Sequence, residues 1–274
     1  MSAAGTRPYA EVIGDPISHS KSPLIHGFWL EALGIDADYR ACQVSADGLG
    51  EYIALRSADP LWRGCNVTIP HKIAVMDHVA DPGAVRDSIG AINTIVRDEH
   101  DAVMGTNTDA GGFYTPLADS DFSGADIAIV GAGGAARAVL FALSRMDVGH
   151  VTLVARNPLK AMGLLAAFGL KGAVIGMADR LPPAALLVNT SPLGMTGFDP
   201  LALDLSPLPE DAVVYDIVYA PLETALLRDA RARGLETIDG LDMLIGQAAL
   251  AFEMFFSAAP PRARDAELRA LLTA

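Results

Sequence analysis

Two rhythms of apolar and polar positions alternate along this chain. Short apolar runs recur, and stretches with apolar residues at three- and four-residue spacing lie between them. In the N-terminal part the runs at 9–13 ("YAEVI"), 38–44 ("DYRACQV"), 62–68 ("WRGCNVT"), 92–96 ("INTIV") and 102–106 predict strands. The segments "SPLIHGFWLEAL" (22–33), "DGLGEYIALRS" (47–57) and "PHKIAVMDHV" (70–79) predict helices. Farther along, strands are expected near 126–130 ("DIAIV"), 151–155 ("VTLVA"), 173–175, 186–189 ("LLVN"), 213–217 ("VVYDI") and 235–238, mostly with helices between. Such alternation predicts an α/β architecture of parallel sheets with helices on their faces. The polar turn "GTNTDAGG" and the segment "LADSDFSG" mark a boundary within 106–122. Two domains follow, 1–107 and 108–240. The chain end reads as two helices split by "SAAPPR", and 241–274 is expected to return to the first domain.

The chain has 274 residues, 51% of them hydrophobic, enough for a core in each of two domains. No apolar stretch reaches the length of a membrane span. The start, "MSAAGTRPYAEVIGDP", lacks a charged segment followed by an apolar run, so no secretory signal is expected. Two cysteines, Cys42 and Cys65, form no disulfide framework, and a reducing cytoplasm is the expected compartment. The net charge of −13 argues against nucleic-acid binding, which needs a basic surface. A small anion would instead be held by local donors. The six histidines show no ligand spacing of a metal site.

"DIAIVGAGGAARAVLFAL" joins a buried-type strand to an amphipathic helix through Gly131, Ala132, Gly133, Gly134 and Ala135. Gly131 permits a tight turn, Gly133 allows a pyrophosphate near the backbone, and small Ala136 allows close helix–strand packing. The helix start offers N–H donors to phosphate. The second strand of this part ends in Ala155, Arg156 and Asn157, with Lys160 beyond. NAD sites usually carry an acid there, for the ribose 2′-hydroxyl. Cations without an acid suit a 2′-phosphate, so NADP is the expected cofactor. A solvated strand-end arginine is the plain alternative.

In the other domain, "GDPISHSKSPLIH" places three serines around Pro23, with Ser22 as the expected N-cap of a helix. Ser18 and Ser20 are then spare hydroxyls ahead of helix donors, a carboxylate site or ordinary turn serines. In "CNVTIPHK", Pro70 suits the first turn of a helix, which puts Lys72 at its positive end. A cation there is disfavoured by roughly 0.3–1 kcal/mol. Retaining it calls for a chemical reason. Asp109 reads as an N-cap, because Gly111 and Gly112 weaken a helix after it.

The blocks "GDPISHSKSP", "NVTIPHK", "GAINT", "NTDAGG", "GAGGAAR", "NTSPLGM", "YDIVYAPLETALL" and "GLDMLIGQAALAF", in this order, resemble the shikimate dehydrogenase family over nearly the whole chain. The resemblance implies reversible reduction of 3-dehydroshikimate to shikimate with NADPH, in aromatic amino acid biosynthesis. It implies an N-terminal substrate domain, a C-terminal Rossmann-type domain and an active site in the cleft between them. It implies that Ser18, Ser20 and Tyr219 meet the substrate carboxylate, and that Thr68, Asn93, Asp109 and Gln247 hold ring hydroxyls. Lys72 and Asp109 match the catalytic pair, with Lys72 as proton donor. Gly131 to Ala135 match the pyrophosphate loop, Arg156 and Asn157 the 2′-phosphate site, and Ile217 and Gly240 the nicotinamide site. A monomer or a homodimer is compatible with the family.

Some positions depart from the commonest pattern. Lys21 replaces an apolar residue, Gly27 an asparagine and His71 a phenylalanine, and "ARNPLK" varies an "NRT" start. Two rivals share the architecture. An NAD-linked quinate/shikimate dehydrogenase would favour an acid where Arg156 stands. A non-catalytic NADP-binding regulator would have no need of Lys72, Asp109 and the serines.

Overall fold

The structure, a computed structural model, describes residues 7–98 and 100–274, excluding the Lys160 side chain. Its elements run β1 (Tyr9–Gly14), α1 (Ser22–Leu33), β2 (Asp38–Gln43), α2 (Leu49–Ser57), β3 (Trp62–Val67), α3 (Val85–Ser88), β4 (Thr94–Arg97) and β5 (Val103–Thr106). They continue with α4 (Asp109–Tyr114), β6 (Ile127–Val130), α5 (Gly134–Leu143), β7 (Val151–Val154), α6 (Pro158–Ala167), β8 (Gly172–Ile175) and β9 (Leu186–Asn189). The last are β10 (Val213–Asp216), α7 (Ala225–Ala232), β11 (Glu236–Ile238), α8 (Gly240–Phe256) and α9 (Asp265–Thr273). The chain up to Thr108, together with Gln247–Ala274, forms one unit, and Asp109–Gly246 forms the other.

In the first unit the sheet order is β2-β1-β3-β4-β5. β1 is parallel to β2 and β3, but β4 runs antiparallel to β3 and to β5. The first sheet is therefore mixed, a detail that the expectation of parallel sheets did not contain. The link from β4 to β5 has hairpin length, whereas a parallel crossover needs about a dozen residues or more. β1 is buried along its whole length, Glu11 included. The Glu11 carboxylate accepts from Arg56 Nε at 2.7 Å, Arg40 Nε at 3.0 Å and the Tyr52 hydroxyl at 2.7 Å. Without such partners the buried charge would cost several kcal/mol.

The C-terminal helices supply part of this unit's core. Phe252 and Phe255 of α8 join His26 and Trp29 of α1 and Tyr39 of β2 in one aromatic cluster. The Lys21 ammonium donates to the Leu272 carbonyl, and the Arg264 guanidinium lies 4.6 Å from the Phe28 ring centre.

In the second unit all six strands are parallel, in the order β11-β10-β9-β6-β7-β8. The chain winds outward from β6 through β7 to β8, then restarts at β9 on the other side of β6. This doubly wound order has its reversal between β6 and β9. Side chains of β6 alternate between two cores, as a two-residue period requires. Ile127 and Ile129 pack with Val139, Leu140 and Leu143 of α5, while Ala128 and Val130 pack with Leu226 and Leu227 of α7. Each large aliphatic buried this way contributes about 1.5–3 kcal/mol. Burial on both faces explains why these strands read as unbroken apolar runs.

The segment after Asp109 is helical despite Gly111 and Gly112, and Asp109 is the first residue of α4 instead of its cap. Phe113 is fully buried and stacks on Tyr215, with ring centres 5.1 Å apart. That packing outweighs the intrinsic cost of glycine in a helix, roughly 1 kcal/mol each.

Candidate active site

Two loops at the carboxyl ends of β1 and β3 carry Ser18, Ser20, Thr68 and Lys72. Backbone bonds tie them together: Thr68 N donates to Ile13 O at 2.9 Å, and Asp15 N to Ile69 O at 3.1 Å. Ser18 is exposed, and Ser20, Thr68 and Lys72 are half-buried. Ser22 is not the cap of α1. It is the first helical residue and is buried, and its N–H donates to Ser20 Oγ at 3.3 Å. The N-cap position itself falls to Lys21, whose side chain makes no capping bond.

The segment 70–79 is not an α-helix. Residues 69–73 form turns, and only Ala74–Asp77 winds into a 3-10 helix. The reason lies in two long-range bonds. The Lys72 carbonyl, which an α-helix would give to Met76 N–H, instead accepts Ile92 N–H at 2.8 Å. The buried His71 ring meets the Val44 carbonyl through Nε2 at 2.6 Å, anchoring the turn to the end of β2. The helix-dipole objection to Lys72 therefore falls away, because it stands at no α-helix start.

Asn93, just before β4, is buried. Its Oδ1 accepts Thr108 N–H at 2.7 Å, and its Nδ2 donates to Thr108 Oγ1 at 3.0 Å. A buried chain leads away from it. Thr94 Oγ1 lies 3.0 Å from Asn93 Oδ1 and accepts from Asn66 Nδ2 at 3.0 Å. Asn66 Oδ1 accepts the Tyr39 hydroxyl at 2.6 Å. Burial raises the Tyr39 pKa well above its ordinary value, so this hydroxyl remains a donor. Gln247, buried in α8, also belongs to this unit.

In the second unit Val130 and Asn189 are partners in register at the reversal between β6 and β9. Gly131 and Thr190 follow them. Gly131 has φ +111°, and a Cβ on it would lie 2.6 Å from Thr190 Oγ1. Only glycine satisfies both the dihedral and the space. At Gly133, before α5, a Cβ would meet nothing within 4 Å. The first turn of α5 holds no acidic side chain, and its leading N–H groups have no partner within the helix. Gly134 and Ala135 begin the helix, Ala132 is half-buried, and Ala136 is fully buried against the core. These residues fit a dinucleotide pyrophosphate.

Ala155 is buried after β7, with its N–H on Ile175 O at 3.0 Å. Arg156 and Asn157 are exposed, and Arg156 makes no ion pair among the described residues. The Lys160 side chain lies outside the described residues. Ile217 and Gly240 are brought together: a Cβ on Gly240 would stand 2.4 Å from Ile217 O. Tyr219, two residues after Ile217, is half-buried, and its pKa is raised by burial. Asp109 is buried in this second unit, whereas Lys72 belongs to the first. Sequence reasoning missed Tyr39, Asn66, Thr108, Asn189 and Asp216. The available signal was a polar residue inside an apolar strand, as in "GCNV", "LLVN" and "VVYD".

Comparison with known proteins gives a consistent result. Residues 12–95 match the model of the shikimate dehydrogenase substrate binding domain, and 240–267 that of the shikimate 5'-dehydrogenase C-terminal domain. A curated NADP(+) shikimate dehydrogenase from Sphingopyxis alaskensis is 68% identical over 274 residues, covering 100% of both chains. Shikimate 5-dehydrogenase of Thermus thermophilus, solved with NADP(H) and shikimate, is 35% identical with TM-score 0.84, over 97% of this chain and 99% of that one. Quinate dehydrogenase of Corynebacterium glutamicum, solved with NAD, is 30% identical with TM-score 0.82, over 97% and 99%.

Proposed function

This chain belongs to the shikimate dehydrogenase family, and from that membership we propose that it catalyses the reversible, NADPH-dependent reduction of 3-dehydroshikimate to shikimate. The first unit is then the substrate domain and the second the dinucleotide domain. The observation that carries the reading is the end of β7. There a buried Ala155 and an exposed Arg156, without an ion pair among the described residues, stand in place of the acid that would select NAD. The substrate choice rests on the family.

Bound NADPH supplies the hydride for the ring carbonyl carbon. Every other task falls to side chains. Gly131 to Ala135 hold the pyrophosphate through backbone N–H groups, and Arg156 and Asn157 hold the 2′-phosphate. Ile217 and Gly240 border the nicotinamide. Ser18, Ser20 and Tyr219 hold the substrate carboxylate, while Thr68, Asn93, Asp109 and Gln247 hold ring hydroxyls. The ammonium of Lys72 gives its proton to the oxygen as the carbonyl is reduced, and the amine takes it back in the reverse direction. Asp109 orients Lys72. Both cysteines are free, which fits a reducing compartment, and the cytoplasm is the proposed location.

The test is a set of four steady-state measurements: shikimate and quinate, each with NADP and with NAD. Shikimate with NADP should give the highest kcat/KM by a wide margin. A preference for quinate with NAD would overturn both assignments, and no oxidation of either would favour a non-catalytic binding protein.

A further inference from the structure

The carboxylate of Asp216, at the end of β10, collects three donors from three segments of the second unit. Its Oδ1 accepts Asn189 Nδ2 at 2.9 Å and Val218 N–H at 3.0 Å, and its Oδ2 accepts the Thr224 hydroxyl at 2.7 Å. The side chain has no solvent exposure. Asn189 and Thr224 each have further attachments. Asn189 Nδ2 also donates to Leu193 O at 3.0 Å, and its Oδ1 accepts from Ser191 N at 3.0 Å and Ser191 Oγ at 2.7 Å. This fixes the loop after β9, whose Thr190 fills the space that Gly131 leaves open. Thr224 Oγ1 accepts Leu227 N–H at 3.3 Å and so caps α7. The Val218 bond closes the turn that carries Ile217 and Tyr219, and Ile217 N–H donates to Asn189 O at 3.2 Å.

We propose that Asp216 is a positioning residue for hydride transfer, locking the loop beside Gly131, the Ile217–Tyr219 turn and the start of α7 into one rigid edge. The inference rests on the functional reading above. Its chemical basis is the match of an all-acceptor group to an all-donor surround. An amide at this position would put an N–H in place of one acceptor oxygen: on the Oδ1 side it would release Asn189 and Val218, and on the Oδ2 side it would take away the acceptor of the Thr224 hydroxyl. Burial works against the ionised carboxyl and raises its pKa, while the bonds from Thr224, Val218 and Asn189 lower it. A cost of this kind, kept at the edge that borders the cofactor, is explained by geometry that the reaction needs. Misplacing a reacting group by about 1 Å can cost roughly a hundredfold in rate.

The experiment uses full-length Asp216→Asn, Thr224→Val and Thr224→Ser enzymes. Three quantities are read: NADP affinity without substrate, kcat for shikimate, and the primary isotope effect with shikimate deuterated at the oxidised carbon. Thr224→Val should lower kcat roughly ten- to hundredfold. Its isotope effect should rise, and its NADP affinity should stay within about twofold, because the pyrophosphate loop is intact. Thr224→Ser keeps the donor and should restore kcat. Asp216→Asn should resemble Thr224→Val or exceed it, and if it fails to fold, the Thr224 pair decides. Normal kcat in folded Thr224→Val enzyme, or loss of NADP affinity as large as the loss of kcat, would overturn the inference alone. Wild-type enzyme without NADP-dependent shikimate oxidation would overturn the functional reading, and this inference with it.

Discussion

Gly14 and Thr68 touch where the two substrate-side loops cross. A Cβ on Gly14 would lie 2.6 Å from Thr68 Cγ2 and 2.9 Å from the Ile69 carbonyl oxygen. The Ile69 oxygen is backbone and cannot swing aside, so the methyl of Gly14→Ala must displace the loop that bears Thr68 and Lys72. Overpacking of this kind costs about 1–3 kcal/mol. The KM for shikimate should rise several-fold and the KM for NADP should not change. An unchanged shikimate KM in the folded variant would show that Thr68 does not contact the substrate.

Lys72→Met removes the proposed proton donor and keeps much of the side-chain length. Turnover should fall by roughly 10²–10⁴, the range for general acid–base catalysis, while NADP affinity holds. Asp109→Asn should also depress turnover. The double variant should be far less impaired than the product of the two effects, because residues acting as a unit are non-additive. Near-normal turnover in folded Lys72→Met enzyme would sink the assignment.

Arg156→Ala removes the proposed charge-assisted bond to the 2′-phosphate, worth roughly 1.5–3 kcal/mol. The KM for NADP should rise about ten- to a hundredfold, and NAD kinetics should stay nearly the same. Equal losses with both cofactors would make the arginine a structural residue.

His26 supplies a pH test of the first unit. Its ring is fully buried and stacked on Tyr39, with centres 3.8 Å apart, and neither nitrogen has a hydrogen-bond partner among the described residues. Burial lowers its pKa from 6.5 to about 3. The unfolded chain therefore binds a proton below pH 6.5 that the folded chain refuses. Stability from this group is complete above pH 6.5 and is lost as pH falls toward 3. At pH 4 the loss is about 3 kcal/mol. Urea midpoints at pH 7 and pH 4 should differ less for His26→Phe than for wild type. The same drop in both proteins would place the acid sensitivity elsewhere.

The strands and most helices were legible in the sequence because their signals are local. The run "DIAIV" needs only its own apolar residues to announce a buried strand, and "GAGGAAR" after it needs only glycine geometry to announce a phosphate-binding turn. Arg156 carries the expectation of NADP by standing where an acid is usual. What the sequence could not carry was any choice settled by a distant partner. The turn at Lys72 looked helical until Ile92, far along the chain, claimed its carbonyl. β4 and β5 read as two more strands, and their antiparallel pairing came only with the hairpin. Asp216 stood unremarked within the run "VVYDI", because its role depends on donors that only the pairing of β10 with β9 brings together. Local propensity is worth tenths of a kcal/mol to about 1 kcal/mol per residue, whereas a buried polar group left unpaired costs about 1–3 kcal/mol. Wherever the two disagreed in this protein, the tertiary partner prevailed.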